Sequence, residues 1–224
     1  MHLARILLLA LVLALAACGD GDGDDEAESG GETTTEAAAP SDGVCESVET
    51  PEPKPDGGEQ PPVGALDADK TYRLVVETNC GEFTIELDQK LAPKTTASLV
   101  SLAENGFYDG TMFHRVVPGF VIQGGDPTGT GTGGPGYSTV DAPPGGTQYI
   151  AGVVAMAKSP AEPPGTSGSQ FFVVTAPDAG LPPDYAVVGK VTDGIETVSA
   201  IESLGIGDGP PSQPVVIEKM TVES

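Results

Sequence analysis

The sequence predicts a mainly β fold, a closed eight-stranded antiparallel β-barrel capped by two α-helices. Three observations lead there. Eight short runs between residues 68 and 224 have strand character, only two segments repeat apolar residues at helical spacing, and 31 Gly and 21 Pro with no Trp make the chain turn-rich. So many strands in one domain would expose sheet edges unless the sheet closed on itself.

The elements follow in chain order. Phe83, Ile85 and Leu87 alternate with Glu82, Thr84, Glu86 and Asp88, a period of two that buries one face of a strand. Tyr72 to Asn79 precedes it across Cys80-Gly81, so the two form a hairpin. Strands are also expected at Met112 to Val117, Gly119 to Gly124, Tyr149 to Ala157, Ser169 to Thr175, Tyr185 to Val191 and Pro214 to Val222. The first helix is Pro93 to Asn105, where Leu99, Leu102 and Ala103 share a face and Gly106 ends the run. The second is Asp193 to Leu204, with Ile195, Val198 and Ile201 inward.

Charge separates the domain at 68–224 from what precedes it. Residues 18–67 hold 15 acids and a single base, Lys54, with few large apolar groups, which predicts a disordered acidic tether. The whole chain carries a formal charge of −23, which excludes nucleic acid as a partner because phosphate backbones would be repelled. Residues 1–17 have a positive start at Arg5 and an apolar run from Ile6 to Ala17, too short to span a membrane and suited to a signal peptide. That run ends in Leu15-Ala16-Ala17-Cys18-Gly19, which resembles the bacterial lipoprotein signal. The resemblance implies that Cys18 is lipidated and becomes the mature N-terminus. Two acyl chains there would anchor the protein stably to the extracytoplasmic face of the cell membrane. The Asp/Gly run after Cys18 is a solvated spacer, since no helices flank it as they flank an EF-hand loop. In an exported, oxidising setting the remaining pair, Cys45 and Cys80, is expected to form a disulfide in preference to two free thiols.

Chemistry is sparse. Gly129 to Gly134 fits G-x-G-x-x-G, but Pro135 stands where a helix should begin, so the segment reads as a flexible loop and not a nucleotide site. After signal removal His114 is the one histidine, which rules out His-rich zinc cages, and the absence of G-x-S-x-G argues against a hydrolase triad. The informative stretch is Phe113 to Asp126, reading FHRVVPGFVIQGGD: two strands around a Pro-Gly turn that carry Arg115, Phe120 and Gln123. On one face these would set an apolar platform beside a permanent cation and an amide.

That stretch closely resembles the signature of the cyclophilin family of peptidyl-prolyl cis/trans isomerases. So do Gly106-Phe107-Tyr108-Asp109-Gly110 before it and Gly168-Ser169-Gln170-Phe171-Phe172 after it. The resemblance implies a cyclophilin-like barrel and a catalytic group of Arg115, Phe120 and Gln123. It also implies a proline pocket walled by Met156, Phe172 and Leu181. Ala157 and Lys158 match positions whose backbone pairs with substrate, Gln170 matches a further polar contact, and Tyr185 stands where many members have histidine. Gly180 departs from the family's usual aromatic, which predicts weak affinity for cyclosporin. The loop Ala161-Glu162-Pro163-Pro164 is acidic and proline-rich, which bears on substrate preference.

Rotation about an X-Pro bond crosses a barrier of about 18 to 20 kcal/mol, because twisting destroys amide resonance. The twisted prolyl nitrogen recovers a lone pair, so a donor aimed at it binds the transition state better than the planar ground state. Arg115 is expected to be that donor, and neither metal nor cofactor is needed. The expected partner is thus a proline-containing exported polypeptide, met by a monomer that assists folding in the cell envelope. The alternative is a non-catalytic proline-binding module or holdase on the same fold, which would have no need of the arginine.

Overall fold

A computed structural model describes residues 44–224. The signal peptide at 1–17, the lipidation at Cys18 and the first part of the tether lie outside the described residues. Among those described, nine strands form one sheet and two short strands form a second. The large sheet contains β1 (Arg73–Thr78), β2 (Gly81–Leu87), β3 (Thr111–Met112), β4 (Arg115–Val117) and β5 (Val121–Gly124). Further along the chain come β6 (Thr139–Val140), β7 (Val153–Met156), β8 (Thr166–Ser167), β9 (Phe171–Val174), β10 (Val187–Asp193) and β11 (Val216–Glu223). The order in the large sheet is β3-β11-β1-β2-β10-β7-β9-β5-β4, all antiparallel, while β6 pairs with β8.

This sheet is a curled half-barrel and not the closed eight-stranded barrel expected. The reason lies in the run predicted as one strand from Met112 to Val117. It breaks at Phe113-His114, so β3 pairs with β11 while β4 turns to pair with β5. The sheet's two end strands are therefore consecutive pieces of chain with no turn between them. Across that gap Met112 makes an isolated antiparallel bridge to Asp126, just past β5.

Helix α1 (Pro93–Glu104) buries Leu99, Leu102 and Ala103 as expected, and also Thr95, Thr96 and Ser98. Pro93 suits the first helical turn, but Ala92 at the N-cap offers no side-chain acceptor. Asp141 supplies it from far along the chain, accepting from Lys94 N at 3.0 Å, Thr95 N at 2.7 Å and Thr95 Oγ1 at 2.8 Å. Helix α2 (Ile195–Ser203) buries Val198 and Ile201, whereas Ile195 is exposed because it sits at the first turn, on the rim. The main core joins both helices to the sheet through Phe83, Phe113, Phe171, Leu102, Ile122 and Ile201.

The tether expected to be disordered to residue 67 is different in its second half. Residues 44–67 lie along the domain as a strap. Cys45 is joined to Cys80 by a disulfide. Lys54 Nζ donates to the carbonyls of Gly106 at 3.1 Å, Phe107 at 2.7 Å and Asp109 at 2.9 Å, just past the end of α1. A cation suits that end of a helix. Composition missed the strap because its ordering rests mainly on these few polar contacts and a covalent link, with Leu66 adding a partly buried apolar contact to the core.

Candidate functional site: a groove on the sheet face

Directly opposed residues of an antiparallel pair share a face. Arg115 on β4 opposes Gln123 on β5, Gln123 opposes Phe172 on β9, Phe172 opposes Ala155 on β7, and Ala155 opposes Val187 on β10. The neighbouring row, Val116, Ile122, Val173 and Val154, faces the core and is fully buried. The pleat alone thus puts Arg115 and Gln123 on one outer face beside Phe172.

Phe120 joins them through the turn Val117-Pro118-Gly119-Phe120, closed by Phe120 N to Val117 O at 3.0 Å. Pro118 fixes its own φ, and Gly119 takes φ +69°, the conformation a type II turn requires at its third position. The Phe120 carbonyl then accepts from Thr175 N at 2.9 Å and Ala176 N at 3.2 Å. These bonds hold the ring 5.8 Å from the Arg115 guanidinium carbon. Phe120, Leu181, Tyr185 and Ala157 pack on Phe172 and Val121 in a small apolar cluster separate from the main core. The Tyr185 ring meets Phe172 edge-on at 5.6 Å and accepts Lys158 Nζ over its face at 5.5 Å.

A polar chain runs beside this cluster. Arg115 Nη1 donates to Gln123 Oε1 at 3.3 Å, Gln123 Nε2 donates to Gln170 Oε1 at 3.1 Å, and Gln170 Nε2 donates to Gly133 O at 2.9 Å. On its other edge the guanidinium is gripped by Asp208, with Nε to Oδ1 at 2.6 Å and Nη2 to Oδ2 at 3.1 Å. These hydrogen bonds and the arginine's charge hold the Asp208 carboxyl below the usual carboxylate range. Burial lowers the pKa of His114, the neighbour of Arg115 in sequence.

The expected site residues fall into two groups. Arg115, Phe120, Gln123, Gln170, Phe172, Leu181, Tyr185, Ala157 and Lys158 gather around the groove. Met156 does not. It pairs with Phe171 in the row that faces the main core and is fully buried there, so it is no pocket wall; Val121 occupies the apolar cluster instead. Strand alternation could have found Val121, two residues from Gln123. The Ala157 N–H, expected to meet substrate, already donates to Gln170 O at 2.9 Å. No local signal pointed to Asp208, which is brought in by a loop whose Gly209 carbonyl accepts from Val116 N. Gly180 has φ +62°, so the missing aromatic could be restored only against backbone strain.

The G-x-G-x-x-G segment is not the flexible loop expected but a cradle for Asp126. This fully buried carboxylate accepts from Thr128 N at 2.8 Å, Thr128 Oγ1 at 2.9 Å, Gly131 N at 2.5 Å and Gly133 N at 3.2 Å. Burial pushes its pKa up, but the hydrogen bonds outweigh it and leave a net lowering. The cradle borders a cavity of about 610 Å³ that shares Gln123, Gln170 and Ala157 with the groove.

An apolar slot beside an arginine donor and two amides can seat a prolyl ring and place an N–H near its nitrogen, without a nucleophile. The family model for cyclophilin type peptidyl-prolyl cis-trans isomerases matches residues 73–222. The chain is 48% identical over 127 residues to peptidyl-prolyl cis-trans isomerase B of Bacillus subtilis, covering 56% of this chain and 85% of that protein. To peptidyl-prolyl cis-trans isomerase A of Mycobacterium tuberculosis it is 38% identical over 172 residues, covering 68% of this chain and 92% of that one. A solved cyclophilin type isomerase of Cryptosporidium parvum superposes with a TM-score of 0.63 at 33% identity, over 69% of this chain and 99% of its own. The same protein was also solved in the presence of the dipeptide Ala-Pro. The pleat, the turn at Pro118-Gly119 and a family match running from β1 nearly to the end of β11 together make this chain a member of the cyclophilin type peptidyl-prolyl cis-trans isomerase family, and an enzyme of that kind.

Proposed function

We propose that this isomerase turns over X-Pro bonds in exported polypeptides at the outer face of the cell membrane, as a lipid-anchored monomer, with Arg115 as the electrostatic donor. The observation that carries the catalytic part is the in-register pairing of Arg115 with Gln123 beside the Phe120 ring. The prolyl ring sits against Phe120, Phe172 and Leu181, and Gln123 fixes the guanidinium plane so that a remaining N–H addresses the pyramidal nitrogen. Replacing Arg115 with Ala should lower kcat/KM in a protease-coupled isomerisation assay by on the order of 10²-fold, the scale of losing one preorganised donor. Near-normal turnover would remove Arg115 from the mechanism. The export part is supported by the Leu15 to Gly19 sequence and by the Cys45–Cys80 disulfide, which suits an oxidising compartment. In cells, Cys18→Ala should leave the membrane fraction or remain unprocessed; a membrane-bound protein of mature mass would rule out the anchor.

A further inference from the structure

The strap at residues 44–67 lies outside the segment that matches the family, yet it reaches the groove. Its course is fixed at several points. Glu46 N donates to Asn79 O at 2.7 Å beside the disulfide, Lys54 caps the chain after α1, and Lys54 N donates to Pro127 O at 2.8 Å. It then pairs with the glycine-rich cradle: Gly57 N donates to Gly134 O at 2.9 Å and Glu59 N to Pro135 O at 3.0 Å. The two chains touch closely enough that a Cβ on Gly136 would stand 3.0 Å from Gly58 N and 3.1 Å from Gly57 Cα.

Asp56 sits at this seam. Its Oδ1 accepts from Gly134 N at 2.9 Å, and it lines the 610 Å³ cavity that also contains Gln123, Gln170, Lys158 and Glu162. The cavity therefore holds two carboxylates and one cation. That cation is drawn aside, since Lys158 Nζ donates to Ser159 O at 3.3 Å and Glu162 O at 3.1 Å while resting over the Tyr185 ring. Asp56 shares this cavity with Gln123, Gln170 and Ala157 of the groove, and three residues of extended client chain span about 10 Å, so the panel that tests the wall covers three positions on either side of the proline.

We propose that the strap completes the groove and that Asp56 makes the enzyme favour client segments with a lysine or arginine close to the target proline. The inference rests on the groove being where the proline binds. The test uses the full chain and a peptide panel in which Lys or Glu replaces Ala at each of three positions on either side of Ala-Pro. At one or two positions kcat/KM should be about three- to tenfold higher for Lys than for Glu at low ionic strength, and the ratio should shrink in 0.5 M salt. In Asp56→Asn, which keeps the acceptor for Gly134, the ratio should fall toward one, and in Asp56→Lys it should invert. Glu52→Gln, which removes an acid of the same strap outside the cavity, should leave the ratio as it was. Equal rates for Lys and Glu at all six positions, or a preference that survives both Asp56 variants or disappears in Glu52→Gln, would overturn the proposal. An error in the placement of the groove would show differently, as an Arg115→Ala chain that still turns over the all-Ala peptide at the normal rate.

Discussion

Arg115 is held from both sides, by Gln123 at Nη1 and by Asp208 at Nε and Nη2. That grip leaves few ways for the guanidinium to turn, and preorganisation of this kind is what makes a donor effective in a transition state. Neither neighbour that could titrate does so near neutrality. Asp208 stays ionised down to acid pH because the arginine lowers its pKa, and burial lowers that of His114, so its protonation moves below the ordinary value near 6.5. The expected outcome is a kcat/KM that is flat from about pH 7 to 9, with any fall confined to the acid side of about pH 6.5. A half-maximal rate between pH 7 and 8 would show that a titrating acid or base takes part.

At the scale of elements, the glycine-rich cradle and the start of α1 share one device, a carboxylate that satisfies backbone N–H groups of another segment. Asp126 does so within its loop, and Asp141 does so for a helix whose Lys94 lies 47 residues before it in sequence. Removing Asp126 strands several buried donors, which costs on the order of 3 kcal/mol or more. Asp126→Ala should therefore lower Tm by roughly 6 to 12 °C near neutral pH. The sign with pH follows from the lowered pKa. The carboxylate's contribution is complete above the unfolded value of about 3.9 and is lost as pH falls through the folded value, so the two proteins should converge in Tm only below about pH 4. A difference that stays constant down to pH 3 would mean the carboxylate's charge is not what holds the loop.

For the whole molecule, the strap is fastened by one covalent link, and Cys45 and Cys80 are 35 residues apart. In the chain-entropy model a loop of that size contributes about 4 kcal/mol. Cys45→Ser should thus unfold at a lower denaturant concentration than the unmodified chain, and reductant should narrow the gap between them. Equal midpoints in oxidising buffer would mean that the link adds nothing to stability.

The groove was legible wherever a local rule governs it. Pro118-Gly119 gave the turn between the two strands that carry Arg115, Phe120 and Gln123, and the motifs around Phe113 and Phe171 carried the family and with it those residues' roles. Met156 was misplaced because its face depends on the parity of its pairing with Phe171, and pairing between distant strands is a tertiary fact. Sheet closure failed for the same reason, since only the partners of β3 and β4 reveal that one predicted strand serves as two. By itself the sequence determined the β-rich class and both helices, because side-chain periodicity and turn chemistry act over a few residues, and the motifs that resemble the cyclophilin family pointed to Arg115, Phe120 and Gln123. Tertiary structure alone decided that Asp208 grips Arg115, that Asp141 caps α1 and that Lys54 and Asp56 bind a strap to the domain. Each of these joins groups many residues apart through one or two polar contacts, which leave no period or composition for a sequence to display.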